Sequence, residues 1–188
     1  MKKKTNSNAF FFFSAFIFII IVFVVISKDD RGKRENSLNY KEEYIQNTQR
    51  LATDIAKKYN LHPSVVLAQS ALESGFGKSD LSLEYNNYFG IKSGGEGVNL
   101  NTVEYVRGEK KILNENFRVY DSKRDSFKDY AELISKSPRY EAVLRAQDYT
   151  EACKALQSGG YATDPSYADK IIEIINHYEL YKLDENFS

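Results

Sequence analysis

From Ala9 to Ile26 every residue except Ser14 is strongly apolar, and nothing in the run offers a polar face. At ~1.5 Å per residue it is roughly 27 Å long, enough to cross the hydrocarbon core of a bilayer. The pattern predicts one transmembrane anchor over 9–26, after a short segment 1–8. Lys2, Lys3 and Lys4 favour a cytoplasmic N-terminus, although Lys28, Arg31, Lys33 and Arg34 follow on the other side. A cleaved signal peptide is the alternative, but no small-x-small cleavage pattern stands between Val22 and Lys28. Residues 27–40 are charged, with Gly32, Asn36, Ser37 and Asn39, and read as a linker.

Beyond the linker the period becomes helical. Tyr44, Thr48, Leu51, Ala52, Ile55, Ala56 and Tyr59 mark an amphipathic first helix. A second should open at His62-Pro63, because proline suits a first helical turn, and stop at Gly75. Val65, Val66, Leu67, Ala68, Ala71 and Leu72 leave it little polar surface, so it should be buried. The segments 102–106 and 117–120 alternate instead, with a turn over 107–110, and predict a small antiparallel pair. Helices resume after Ser122, run to Gly159-Gly160, and restart at Asp164-Pro165 through Ile175. The expected fold class is α+β: a mostly helical domain over 41–183 with a small antiparallel β-lobe, and a tail at 184–188.

Composition narrows the function classes. Lys+Arg and Asp+Glu balance at 26 each, so no bulk field favours nucleic acid. The single Cys153 cannot close an intrachain disulfide, and its helical neighbours Ala152 and Ala155 make it a small buried apolar residue. His62 and His177 lie far apart without a cluster at ligand spacing, so neither a metal nor a cofactor is expected.

Glu73 is the residue with chemical content. It follows an apolar helix at the end where the macrodipole disfavours negative charge, and burial would keep its carboxyl protonated near neutral pH. A general acid needs that property. A glutamate near a helix end is more often an ordinary surface residue, and position alone favours that reading.

The run Leu67 to Ser79, LAQSALESGFGKS, resembles the catalytic-acid motif of glycoside hydrolase family 73, the endo-β-N-acetylglucosaminidases of bacterial walls. Asn86 to Lys92, NNYFGIK, is similar to a second block of that family. Thr102-Val103-Glu104-Tyr105 with Phe117-Arg118-Val119-Tyr120 is similar to its β-lobe, and Tyr161 to Ala168 to its C-terminal signature. The resemblance covers about 45 to 180 in four ordered blocks.

It implies a lysozyme-like fold with a groove between a helical core and a β-lobe, and a peptidoglycan hydrolase cutting the β-1,4 bond after N-acetylglucosamine. Glu73 would be the acid and Glu104 a second carboxylate, with Glu109 and Glu115 as rivals. If the substrate's own acetamido group attacks instead, Tyr161 would orient it. Asn87, Phe89 and Tyr167 are the remaining candidates, for contacting sugar or shaping the groove. The expected partners are glycan strands and, through 9–26, a membrane that leaves the domain outside the cell. A lytic transglycosylase or muramidase of the same fold, or a non-catalytic wall-binding scaffold, are the alternatives.

Overall fold

The structure, a computed structural model, describes residues 39–106 and 109–185, and the side chains of 39–101 and 113–185. The expected anchor at 9–26 lies outside the described residues; among these, no helix is long and apolar enough to cross a membrane. The chain divides into residues 1–41 and a compact domain from Glu42 onward. Helix α1 is described over 39–59. It is followed by α2 (Pro63–Glu73), α3 (Asp80–Tyr85), β1 (Val98–Val106), β2 (Glu109–Phe117), α4 (Lys123–Lys136), α5 (Glu141–Leu144), α6 (Tyr149–Ser158) and α7 (Tyr167–His177). Short 3-10 turns, Pro138–Tyr140 and Leu180–Leu183, complete the order.

Helix α2 is the axis of the domain. Residues 63–71 are all buried, against α6, α7 and the turn Leu180–Leu183. Its Ser64 and Gln69 pair with partners from distant parts of the chain, which is how polar groups are tolerated on a helix with no wet face. Asp184, the first residue of the expected tail, instead caps α2: its carboxylate accepts from Ser64 N at 2.9 Å and from Ser64 Oγ at 2.5 Å. Around α2 the core gathers Ile55, Phe127, Ile134, Leu156, Ile171 and Ile175, with Cys153 fully buried among them.

The β-lobe is a two-stranded antiparallel hairpin, with Val98 opposite Phe117 and Val106 opposite Glu109. It is longer than expected, and β2 ends where a second strand had been expected to begin. Residues 118–120 leave the ladder because they are claimed elsewhere: Arg118 N donates to Ile91 O and Tyr120 N to Tyr85 O, each at 3.0 Å. Lys92 bridges to Phe117, and Ser93 N donates to Asn116 O at 2.8 Å. The loop after α3 thus sets where the hairpin leaves the helical body.

Candidate active site

Glu73 is the last residue of α2, and the chain turns sharply behind it. Gly75, Phe76 and Gly77 all have positive φ, at 56°, 56° and 74°. For Phe76 that conformation is strained, and its ring is held between Tyr44 (6.1 Å) and Tyr178 (5.8 Å). Gly77 is obligatory on space as well, since a Cβ there would come 2.9 Å from the Tyr44 ring. Ser74 staples the turn, donating to Ser70 O at 2.6 Å and accepting from Gly77 N at 2.8 Å.

The carboxyl reaches a cleft of about 690 Å³ between the helical core and the base of the hairpin, lined among others by Phe89, Phe117, Tyr161 and Tyr167. Tyr167 Oη donates to Glu73 Oε1 at 2.7 Å. Tyr167 opens α7, and Gln157 fixes that corner by accepting from Ala168 N (2.7 Å) and donating to Pro165 O (3.1 Å). The Tyr167 oxygen accepts from Gln69 Nε2 at 2.8 Å, and Gln69 Oε1 accepts from Tyr130 Oη. Every donor therefore points the same way, from Tyr130 through Gln69 and Tyr167 to Glu73.

Surrounding protein strips water from Glu73 and pushes its pKa up to about 7, although the Tyr167 hydrogen bond pulls the other way. Oε1 is occupied by the Tyr167 proton, so the acid's own proton resides on Oε2. Beside Oε2 lies Gly90 (φ 63°), where a Cβ would stand 3.7 Å away. The missing side chain keeps that approach open.

Of the other expected residues, Tyr161 lines the cleft and stacks on Tyr167 at 5.8 Å, with its hydroxyl donating to Phe89 O at 2.9 Å. What it can offer a ligand is a lone pair. Phe89 is 1% exposed and stacked 4.0 Å from Tyr130, so it shapes the wall. Of the two expected roles of Asn87, sugar contact does not fit and shaping the groove does: it is 1% exposed, is not among the residues lining this cleft, and its amide is spent internally. Nδ2 donates to Ile91 O and Arg118 O, and Oδ1 accepts from Ile91 N and Phe89 N.

Glu104 sits in β1 opposite Lys111; its side chain, like that of Glu109, lies outside the described residues. Glu115 faces Lys92 at 3.3 Å. Gln69 and Tyr130 had not been singled out from sequence. A lone amide on an otherwise apolar helix face, one turn before the acid, was the available signal.

Residues 49–180 match the family model described as mannosyl-glycoprotein endo-beta-N-acetylglucosaminidase, the glucosaminidase family. The chain belongs to the glucosaminidase family. The glucosaminidase domain seen here is 37% identical over 160 residues to the exo-glucosaminidase LytG of Bacillus subtilis, covering 81% of this chain and 57% of that protein. It is 40% identical over 119 residues to the peptidoglycan hydrolase FlgJ of Escherichia coli K12, covering 59% and 38%. The chain thus spans only about half of these curated relatives, or less. The catalytic domain of the Listeria monocytogenes autolysin Auto superposes with a TM-score of 0.68 at 34% identity, covering 82% of this chain and 97% of that one. The lysozyme-like α+β expectation and the family resemblance hold, and the domain is a glycosidase domain.

Proposed function

We propose that this protein hydrolyses the β-1,4 bond after N-acetylglucosamine in bacterial peptidoglycan, with Glu73 as general acid. The observation that carries the reading is a carboxyl at the end of a buried helix, open to a cleft, held by Tyr167 and protonated up to about pH 7. As the glycosidic bond breaks, Oε2 delivers its proton to the leaving oxygen. Tyr167 then stabilises the carboxylate that forms on Glu73, at the moment when charge develops there. The names of LytG and FlgJ, a glucosaminidase and a peptidoglycan hydrolase, support the bond and the substrate. The apolar run 9–26 would hold the domain at the outer face of the membrane, close to the wall.

For the second half of the reaction we favour participation by the substrate acetamido group. An inverting route needs a base ~6.5–9.5 Å from the acid. Phe117 lines the cleft and pairs with Val98, and position 104 lies six residues further along β1, roughly 20 Å at strand rise. Glu104 serves as base only if the hairpin bends over the cleft. Tyr161 is already at the cleft, and its free lone pair suits an acetamido N–H, a contact that makes the acetamido oxygen a better nucleophile.

Mass spectrometry of digested sacculi is the direct test. N-acetylglucosamine at the new reducing ends is the expected result; N-acetylmuramic acid or an anhydro sugar there would refute the proposed bond. A second prediction concerns Tyr167. In Tyr167→Phe the hydrogen bond that lowers the Glu73 pKa is gone, so that pKa rises further. The acid then stays protonated to higher pH, and the alkaline limb of the pH–rate profile moves upward. The rate below that limb drops about tenfold, the equivalent of one hydrogen bond. An unchanged alkaline limb would sever Tyr167 from the titrating group.

A further inference from the structure

Two buried polar side chains, Gln69 and Tyr130, stand behind the acid without lining the cleft. Gln69 is fully buried on α2, one turn before Glu73, and Tyr130 is 1% exposed on α4. Gln69 Nε2 donates to Tyr167 Oη at 2.8 Å, and Gln69 Oε1 accepts from Tyr130 Oη. Among the described residues the Tyr130 hydroxyl has no second acceptor. Its ring cannot swing to find one, being stacked 4.0 Å from Phe89 and packed edge-on to Tyr161 at 6.1 Å.

That dead end gives the row its direction. A row of hydroxyls and one amide can run either way, because a hydroxyl both donates and accepts and an amide can turn over. In the reverse order Glu73 would carry its proton on Oε1 and donate to Tyr167, Tyr167 would donate to Gln69, and Gln69 to Tyr130. The Tyr130 proton would then be buried without an acceptor, which disfavours that order by about tenfold or more. In the forward order each hydroxyl has an acceptor, and the proton left to Glu73 is the one on Oε2, toward the cleft.

We propose that Gln69 and Tyr130 are positioning residues of the acid: acting through Tyr167, they keep the catalytic proton on the Glu73 oxygen that faces the cleft. The proposal rests on the reading of Glu73 as general acid and adds what holds its proton in place. Without the Tyr130 hydroxyl neither order is favoured, and part of the protonated enzyme carries its proton on Oε1, away from the glycan. Only a protonated carboxyl can adopt the reverse order, because ionised Glu73 has no proton to donate and accepts one from Tyr167. Losing Tyr130 therefore raises the Glu73 pKa and at the same time slows the enzyme where the acid is fully protonated. Losing Gln69 acts in the same direction by another route. The Tyr167 hydroxyl, no longer polarised by a donor to its oxygen, stabilises the carboxylate less. Other groups do not blur the effect. Burial holds the phenols of Tyr130, Tyr161 and Tyr167 well above their ordinary range and pushes the Cys153 thiol up to about 12. The Glu73 pKa answers to burial and to the Tyr167 hydrogen bond, and not to Lys92, Arg118, Arg139, Asp164 and Lys170, the charged groups along the cleft.

The test follows the release of reducing ends from purified sacculi by the full chain, from about pH 5 to about pH 9. Tyr130→Phe removes one oxygen, and Gln69→Met replaces the amide with an unbranched apolar chain of similar length. Each should lower kcat about two- to fivefold with KM unchanged. In both, the alkaline limb of kcat/KM should move upward by a few tenths of a pH unit, so the variants are slower although protonated to higher pH. In a Tyr167→Phe background neither substitution should change kcat or the limb further, because the path to Glu73 is already cut. The double variant Gln69→Met/Tyr130→Phe strands neither partner of their hydrogen bond, so it answers the question even where a single variant folds poorly: its limb should remain raised. A limb that stays in place in all three, a loss carried by KM instead of kcat, or an undiminished loss in the Tyr167→Phe background would overturn the proposal and leave the pair as packing. A wild-type chain that releases no reducing ends would instead sink the hydrolase reading itself.

Discussion

Glu73→Gln should abolish wall cleavage and at the same time make the domain more stable at alkaline pH. The activity loss is expected at about 10³-fold or more, the upper part of the range for removing a general acid. The stability gain follows from linkage. Burial raises the Glu73 pKa from 4.5 to about 7, so between those values the folded state binds more protons than the unfolded chain. Stability therefore falls as pH rises through that window, and it is undiminished below pH 4.5. Glutamine keeps the shape and the acceptor for Tyr167 without the charge. The variant should match wild type at pH 4 and exceed it by about 3 kcal/mol at pH 8, measured by urea unfolding at both pH values. A variant no more stable than wild type at pH 8 would mean that Glu73 ionises without strain and is not held as an acid.

The second large effect is expected at Asn87, through folding and not through binding. Asn87→Ala leaves the Phe89 and Ile91 N–H groups and the Arg118 carbonyl without the amide that joins them, while the Ile91 carbonyl keeps the Arg118 N–H. Unpaired buried groups cost ~1–3 kcal/mol each, moderated where neighbours or water move in. A net destabilisation of about 3 kcal/mol is expected, which for a domain of this size lowers Tm by roughly 10 °C. Asn87→Asp should do at least as badly despite its matching shape, because it replaces the donor to two carbonyls with a buried charge. Thermal melts decide the matter: a sugar contact would leave Tm alone and raise KM.

The contrast between these residues shows what a sequence can carry. Glu73 was legible because two independent facts, an apolar helix and its C-terminal end, act on one carboxyl, and the ordered motifs chose between the two readings. Asn87 was legible as a special position, but an amide that reads sugar and one that clamps a loop look alike until the carbonyls around it are placed. The helices around the core announced themselves by period and by caps. Ser122 accepts from Asp125 N as expected, and Pro63 opens α2.

Helix α3 was missed because six residues are too few to establish a period. The hairpin was read too short because Asn99 and Asn101 are poor strand formers, which masks the alternation they make with Val98 and Leu100, and because 114–116 are polar throughout. In the structure Asn114 donates to Asn101 across the ladder at 3.1 Å, so polar pairs hold strands that hydrophobic counting passes over. Gln69 and Tyr130 were hidden for the opposite reason. They lie on faces that read as core, and only the arrival of Tyr167 from nearly a hundred residues away gives them their role.

The row of donors from Tyr130 to Glu73 has a consequence for turnover. Tyr167 already accepts a hydrogen bond from Gln69, and its own proton is directed at Glu73 Oε1, so among the described residues this row supplies no proton to Oε2 without reversing. After each proposed cleavage the carboxylate instead regains its proton from the water that opens the acetamido-derived ring: the hydroxyl of that water bonds to the anomeric carbon and its proton returns to Glu73. Water entry and departure of the leaving strand then share one doorway, and a long leaving strand that lingers in the cleft would delay both the ring opening and the restoration of the acid.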